Sequence, residues 1–208
     1  MSCSRDTTVK FWELESGYCR STTKSTDWLR CIDVSADGQF VATGGNAQVV
    51  VILDASNGAV IQELRAGHEH FIQCLRFSTK AVPPEALGLS AEGGGFSSTA
   101  ETSGVILLAS GARDSTVSVW NVANGELFFQ VREHTNWVND LAFTSDGKYI
   151  ITCSDDRSVK VTDVVKRRRV RDLVNAHGHF VTSLALMPSI GRVASGGADK
   201  EIRLWDCC

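Results

Sequence analysis

One twelve-residue pattern recurs along the chain and limits it to repeat architectures. Clear copies are SCSRDTTVKFWE (2–13), SGARDSTVSVWN (110–121), TCSDDRSVKVTD (152–163) and SGGADKEIRLWD (195–206), with a diverged copy, TGGNAQVVVILD, at 43–54. The position six residues before the tryptophan position is residue 6, 47, 114, 156 and 199 in the five copies, so their spacings are 41, 67, 42 and 43 residues. A period near 42 residues with one longer unit predicts one supersecondary unit repeated side by side.

Each unit carries the signals of four short strands. A corner with polar and aromatic residues comes first, in STDWL (25–29), HEHFI (68–72), HTNWV (134–138) and HGHFV (177–181). A short apolar strand, a turn such as TSDG (144–147) and further segments rich in Val, Ile and Phe follow. The sequence therefore predicts an all-β fold.

The units resemble WD40 repeats, each of which is a four-stranded blade of a β-propeller. Their landmarks are Gly67–His68 and Ala176–His177 at the corners, and Trp120–Asn121 and Trp205–Asp206 at the strand ends. The resemblance implies a partial WD40 propeller over residues 1–208, with units of about 1–24, 25–66, 67–133, 134–176 and 177–208. This is four to five blades' worth of a seven-bladed ring, so we expect three full blades, open sheet edges and a piece of a longer protein.

A histidine, a serine or threonine, an aspartate and a tryptophan recur in these units at fixed positions. In WD40 blades such residues resemble a structural tetrad, which satisfies the polar groups where a loop is buried against the sheet. A hydrolase triad would occur once, not once per repeat, so we expect no catalytic residues. The sets are His68, Ser110, Asp114 and Trp120; His177, Ser195, Asp199 and Trp205; and His134, Thr152 and Asp156, where Thr162 replaces the tryptophan. The unit with Ser25, Ala47 and Leu53 has lost the set and is predicted to be the loosest.

Composition narrows the function classes. The net charge of −3 gives no support for a nucleic-acid surface, and no apolar run is long enough to span a membrane. The seven cysteines include no CxxC pair and no zinc spacing, so we expect no metal or cofactor and a reducing, cytoplasmic compartment. The terminal Cys207–Cys208 pair reads as the end of a strand, since prenylation signals have a different pattern.

Two segments stand out from the repeats. Residues 79–104, rich in Gly, Ser, Thr and Pro, predict a flexible insertion in the a–b turn of the long unit, either a tolerated excursion or a binding or phosphorylated loop. The basic run KRRRVR (166–171) fits a solvated hairpin tip, and a nuclear-localisation signal is the alternative.

Longer runs, among them SRDTTVKFWELESGYC, HTNWV and NAHGHFVTSL, are similar to the C-terminal half of the lissencephaly-protein family. That resemblance implies a non-catalytic regulator of cytoplasmic dynein, located in the cytoplasm with microtubules or centrosomes, whose propeller binds the dynein motor domain and its adaptors. The partner-binding residues that carry over by motif are Arg5, Arg30, Arg113, Trp137 and Arg157, the last in place of the family's lysine. The alternative function is a generic WD40 adaptor in a ubiquitin-ligase or signalling complex.

The corner aromatics support a binding face on independent grounds. Trp28, Phe71, Trp137 and Phe180 each precede a residue that begins a buried strand, so alternation turns their rings away from the core. For Phe71 and Phe180 the alternative is that the ring packs against the loop of a neighbouring blade. The family's helical dimerisation region is not part of this sequence, so we expect that function to be absent.

Overall fold

Residues 1–87, 104–187 and 191–206, the part of the chain that the computed structural model describes, form five antiparallel β-sheets. The first sheet contains β1 (Ser2–Cys3), β2 (Thr8–Trp12) and β3 (Cys19–Lys24), and the second contains β4 (Leu29–Val34), β5 (Phe40–Gly45), β6 (Val50–Asp54) and β7 (Val60–Leu64). The third contains β8 (Ile72–Phe77), β9 (Leu107–Ala112), β10 (Val117–Asn121) and β11 (Leu127–Val131). The fourth contains β12 (Val138–Phe143), β13 (Tyr149–Ser154), β14 (Val159–Asp163) and β15 (Arg168–Leu173), and the fifth β16 (Val181–Met187), β17 (Arg192–Gly197) and β18 (Ile202–Asp206).

Each sheet is a simple meander in which consecutive strands pair, and the sheets stand side by side. Their innermost strands β1, β4, β8, β12 and β16 contact one another in that order, as the inner strands of propeller blades do. The middle three sheets have four strands, whereas the first and last have three. The prediction of an all-β, incomplete propeller is therefore confirmed.

The hydrophobic core lies between the sheets, with one buried cluster for each adjacent pair. Between the second and third sheets, for example, Ile52 packs with Ile72, Leu75 and Trp120, all of which are 1% exposed or less. Side chains alternate along a strand, so one face of each sheet packs against the preceding sheet and the other against the following one. A further contact between sheets is polar: the Phe77 amide on β8 donates to Asp33 Oδ2 on β4 over 2.7 Å.

The ends of the insertion pack against the fourth sheet, although the sequence predicted a flexible excursion over the whole of 79–104. Thr79 Oγ1 donates to the Thr144 carbonyl over 3.0 Å, and Val82 pairs with Val105 while both are buried. A 3₁₀ helix, Pro84–Leu87, follows, and within the described residues no helix is long and apolar enough to cross a membrane. Residues 88–103 lie outside the described part, as does the Cys207–Cys208 pair.

Candidate functional site

The third sheet shows how the repeated polar residues are connected. His68, which is 8% exposed, lies between Asp114 and Ser110, with Nδ1 3.2 Å from Asp114 Oδ2 and Nε2 2.7 Å from Ser110 Oγ. The Trp120 indole Nε1 donates to the same Ser110 hydroxyl over 2.9 Å. The tautomer in which Nδ1–H donates to the carboxylate and Nε2 accepts from the hydroxyl satisfies every polar group in this chain of hydrogen bonds.

The fourth and fifth sheets have the same arrangement. The corresponding distances are 2.8 Å for His134 Nδ1–Asp156 Oδ2, 2.8 Å for His134 Nε2–Thr152 Oγ1, 3.0 Å for His177 Nδ1–Asp199 Oδ2, 2.7 Å for His177 Nε2–Ser195 Oγ and 2.8 Å for Trp205 Nε1–Ser195 Oγ. The histidines are buried at the sheet, so their hydrogen-bonding capacity is used inside the fold.

These hydrogen bonds change the acidity of the aspartates. Burial alone would raise the pKa of Asp114, but hydrogen bonds from His68, Thr116 and the Glu69 amide outweigh it and hold the pKa well below its usual range. The same balance lowers the pKa of Asp156, and it lowers that of Asp199 to about 2. The carboxylates are therefore fixed, ionised acceptors and not proton donors at neutral pH.

The aspartate turn sets the position of the residue just before it. In the third sheet Ser115 has a φ of 67°, and the Arg113 amide donates to the Phe71 carbonyl over 3.0 Å. The Glu69 amide donates to Asp114 Oδ2 over 2.8 Å from the other side. These two hydrogen bonds hold the turn after β9 and the corner before β8 together. The Arg113 side chain therefore leaves the backbone directly beside Phe71.

The first sheet contains part of a tetrad that the sequence reasoning did not assign. Trp12 Nε1 donates to Ser2 Oγ over 2.9 Å, and Asp6 stands at the aspartate position. The signal was present, because Ser2, Asp6 and Trp12 have the spacing of Ser110, Asp114 and Trp120. A hydroxyl two residues after the aspartate was also missed: Thr116 Oγ1 lies 3.0 Å from His68 Nδ1, and Ser158 Oγ lies 3.3 Å from His134 Nδ1.

The two units with incomplete sets differ in what surrounds the loop. In the fourth sheet, where Thr162 replaces the tryptophan, Lys160 Nζ donates to the Glu133 carbonyl over 2.6 Å, as Ser118 Oγ donates to the Gly67 carbonyl over 2.7 Å in the third sheet. In the second sheet, Ser25 and Ala47 instead line a cavity of about 120 Å³. The cavity lies where the loop and sheet lack the usual polar connection.

The predicted partner-binding arginines stack on the corner aromatics. We call this set, Arg5, Trp28, Arg30, Phe71, Arg113 and Trp137, the arginine–aromatic surface. The distances from guanidinium carbon to ring centroid are 5.6 Å for Arg5–Trp28, 5.2 Å for Arg30–Phe71, 5.6 Å for Arg113–Phe71 and 4.0 Å for Arg113–Trp137. Each lies within the range of a cation–π interaction. The stacking crosses from each sheet to the next, so the surface runs over the first four sheets.

The charges of this surface are not neutralised within the described part of the chain. Six arginines elsewhere form ion pairs with carboxylates: Arg65, Arg76, Arg132, Arg169, Arg192 and Arg203. Arg5, Arg30 and Arg113 form none with the described residues, and the buried Arg113 Nε has no hydrogen-bond partner there. Burial lowers the pKa of Arg30, and the positive charges of Arg113 and Arg5 lower it further. The arrangement is therefore suited to an anionic partner.

Arg157 stands apart from the other predicted contact residues. It follows the tetrad aspartate, whereas Arg5 and Arg113 precede theirs, and its φ of 68° matches that of Ser115. Asp155 occupies the position equivalent to Arg113 and accepts a hydrogen bond from Asn139 Nδ2 over 2.6 Å. Arg157 is exposed and makes no ion pair or ring contact with the described residues. The structure thus brings together four of the five predicted residues.

A cleft beside this surface lies along the inner strands. Its volume is about 520 Å³, and its lining includes Arg5, Arg30, Gln73, Asn139 and Asp155. No cluster of three or more His, Cys, Asp and Glu side chains in the described ranges is arranged to hold a metal ion. Exposed tryptophans beside unpaired arginines are instead the side chains that dominate protein–protein interfaces, and Trp28 and Trp137 are 46% and 38% exposed.

Comparison with known proteins agrees with the repeat assignment. The family model for the WD domain, G-beta repeat, matches residues 17–52, 125–163 and 169–206. Nuclear distribution protein PAC1 of Coccidioides posadasii is 35% identical over 191 residues, which are 91% of this chain and 40% of that protein. Nuclear distribution protein nudF is 33% identical in Aspergillus niger and 34% in Emericella nidulans, over 90% and 91% of this chain and 42% of each relative.

The chain thus spans about two fifths of the length of these relatives. The relatives are orthologues of the lissencephaly protein, so the resemblance inferred from the sequence is confirmed. The three matched segments together cover more than half of the 208 residues. The chain belongs to the WD40-repeat family.

Proposed function

We propose that the chain is part of a non-catalytic protein-binding platform that regulates cytoplasmic dynein in microtubule-based transport and nuclear migration. The observation that carries the proposal is the arginine–aromatic surface, where unpaired guanidinium groups stack on exposed rings of neighbouring sheets. Its partner is the dynein motor domain, which the resemblance to the lissencephaly family implies. The printed names of the relatives, nuclear distribution proteins, fit a role in moving nuclei through the cytoplasm.

The repeated His–Asp pairs support a structural role rather than catalysis. A nucleophile must reach a substrate, but Ser110 Oγ is buried and is bonded to both His68 and the Trp120 indole. The pattern recurs in successive sheets with similar distances, as expected for hydrogen bonds that attach each loop to its sheet. The function therefore lies on the surface that these tetrads position.

Partner contact is concentrated at the arginines that the rings hold. Arg113 contacts both Phe71 and Trp137, so its side chain loses less freedom on binding than a free arginine would. Trp137 supplies apolar area beside the charge. We propose Arg5, Arg30, Arg113 and Trp137 as the contact residues and place Arg157 outside the main contact.

The test is binding of the 208-residue chain to purified dynein motor domain, measured by biolayer interferometry. Arg113→Ala combined with Trp137→Ala should weaken binding by at least about tenfold, the scale of an interface hot spot, without lowering the melting temperature by more than a few degrees. Arg157→Ala is the matched control and should bind within about twofold of wild type, as expected outside a hot spot. Equal affinity of the double variant and the wild type would remove the surface from the proposal.

A further inference from the structure

Phe71 differs from the other three corner aromatics. Trp28, Trp137 and Phe180 are 46%, 38% and 38% exposed, whereas Phe71 is partly buried and is not among the exposed apolar residues. Two guanidinium groups explain the difference, because those of Arg30 and Arg113 lie 5.2 Å and 5.6 Å from the centre of its ring. Phe71 is thus the ring that two arginines from neighbouring sheets share.

These two arginines repel each other. No carboxylate among the described residues pairs with either, and the charge of Arg113 acts on Arg30 strongly enough to lower the pKa of that guanidinium beyond the effect of burial. What holds them near each other is attraction to the aromatic ring, together with one further contact each. Arg30 Nε donates to Asn46 Oδ1 over 2.7 Å, and Arg113 stacks on Trp137.

The backbone fixes the Phe71 ring. Its amide donates to His70 Nδ1 over 2.8 Å, and its carbonyl accepts from the Arg113 amide over 3.0 Å. The imidazole of His70 packs edge-on against the ring, with centroids 4.5 Å apart. Because the Phe71 backbone is held at both its amide and its carbonyl, the ring keeps its place and can restrict the two guanidinium groups that lie against it.

We propose that Phe71 is a positioning residue, whose ring holds Arg30 and Arg113 as a fixed, unneutralised pair for an acidic segment of a protein partner. The inference rests on the proposed function in that the pair belongs to the same binding surface. It adds a residue that partner contact alone would not identify, and it defines the partner's chemistry as carboxylate-rich. Without the ring, the two guanidinium groups separate, and the free energy needed to bring them together again reduces the affinity for the partner.

The chain offers a matched control in Phe180. Its amide donates to His179 Nδ1 over 2.9 Å, its carbonyl accepts from Ala198 over 2.8 Å, and the His179 ring lies edge-on at 4.3 Å. The local geometry is that of Phe71, but Ala198 stands where Arg113 would be, and no guanidinium of the described residues lies over the Phe180 ring. Phe180→Leu therefore reports the structural cost of losing such a ring.

The experiment compares Phe71→Leu, Phe71→Tyr and Phe180→Leu in the 208-residue chain. One arm measures binding of a fluorescein-labelled polyglutamate peptide by anisotropy, at low and at physiological ionic strength, and the other measures binding of dynein motor domain. Phe71→Leu should weaken both by about three- to tenfold, the loss expected when two cation–π contacts disappear, and the loss with polyglutamate should shrink as salt rises. Phe71→Tyr and Phe180→Leu should bind like the wild type.

The outcomes separate the two proposals. Phe71-dependent binding of polyglutamate without binding of the motor domain would refute dynein as the partner and support the positioning role. Motor-domain binding in which Phe71→Leu equals Phe180→Leu, or a wild-type chain that does not bind polyglutamate, would overturn the inference and leave the proposed function standing. Melting temperatures are compared throughout, and Phe71→Met, which keeps apolar volume without a ring, replaces the leucine variant if that variant unfolds.

Discussion

The contact between Gly67 and Trp120 allows a sharp test of how the corner loops are packed. A Cβ atom added to Gly67 would overlap the indole carbons Cζ2 and Cη2 of Trp120. The φ of Gly67 does not lie in the left-handed region, so its backbone would accept alanine and only packing excludes the side chain. The change in stability caused by Gly67→Ala therefore measures only how closely the loop packs against the indole.

The expected cost follows from what the indole must give up. Trp120 is 1% exposed and its Nε1 donates to Ser110 over 2.9 Å, so the ring cannot move without leaving a packed site and weakening that bond. Overpacking a core costs about 1–3 kcal/mol and a buried hydrogen bond contributes about 1 kcal/mol, so Gly67→Ala should lower the free energy of unfolding by about 2–4 kcal/mol. Urea unfolding followed by tryptophan fluorescence measures this quantity.

A double-mutant cycle shows whether the indole is the cause. Trp120→Thr alone should cost about 3–5 kcal/mol, but in its presence Gly67→Ala should cost less than about 0.5 kcal/mol because the overlap is gone. Ala176→Gly is the control: the fifth sheet already has alanine at the same loop position beside the partly exposed Trp205, so the change should cost only about 1–2 kcal/mol, through chain entropy and the loss of one buried methyl group. Additive costs of Gly67→Ala and Trp120→Thr would refute the packing explanation.

Three further perturbations test other parts of the framework. The pKa of Asp199 is about 2 in the fold, which is below the ordinary value of an aspartate. Its contribution to the free energy of unfolding should therefore be present above about pH 4 and disappear as the pH falls to 2. In Asp199→Asn, the midpoint of urea unfolding should depend less on pH. Thr162→Trp should destabilise the chain because Glu133 fills the loop position where Gly67 makes room for an indole, and adding Glu133→Gly should restore the thermal midpoint. Asp33→Ala should cost about 1–3 kcal/mol in urea unfolding by leaving a buried amide donor of β8 without its acceptor, and Asp33→Asn should recover part of it.

The fold was predictable because its determinants are local. The strands, turns and tetrads depend on spacings within about 42 residues, and the aspartate six residues before the tryptophan identifies each turn without reference to other sheets. The same spacing also identifies Ser2 and Trp12 as tetrad members. These spacings persist when the sequence diverges: Ala47 occupies the aspartate position of the turn in the second sheet, although the hydrogen bonds of the tetrad have been lost there.

The site was predictable only in part, because its contacts cross between sheets. Motif comparison selected Arg113 and Trp137, but it could not show that Phe71 lies against two guanidinium groups, since that depends on how adjacent sheets are rotated. It also grouped Arg157 with the other arginines as a contact residue, although Arg157 lies two residues beyond the position of Arg113, on the other side of the aspartate. The packing of the insertion ends likewise depends on the neighbouring sheet.

The turn geometry separates what the fold requires from what the surface can vary. Just before the tetrad position, the amides of Asn46, Arg113, Asp155 and Ala198 all donate to the carbonyl of the corner aromatic, over 2.8–3.0 Å. The backbone contact needs no particular side chain, so one residue in each sheet can change charge without disturbing the tetrad beside it. From the first sheet to the fifth, this residue is arginine, asparagine, arginine, aspartate and alanine in turn, so the basic character ends at the fourth sheet. A partner that recognises this row of residues by charge is consequently oriented as well as bound, because only the first and third sheets present arginine at this position.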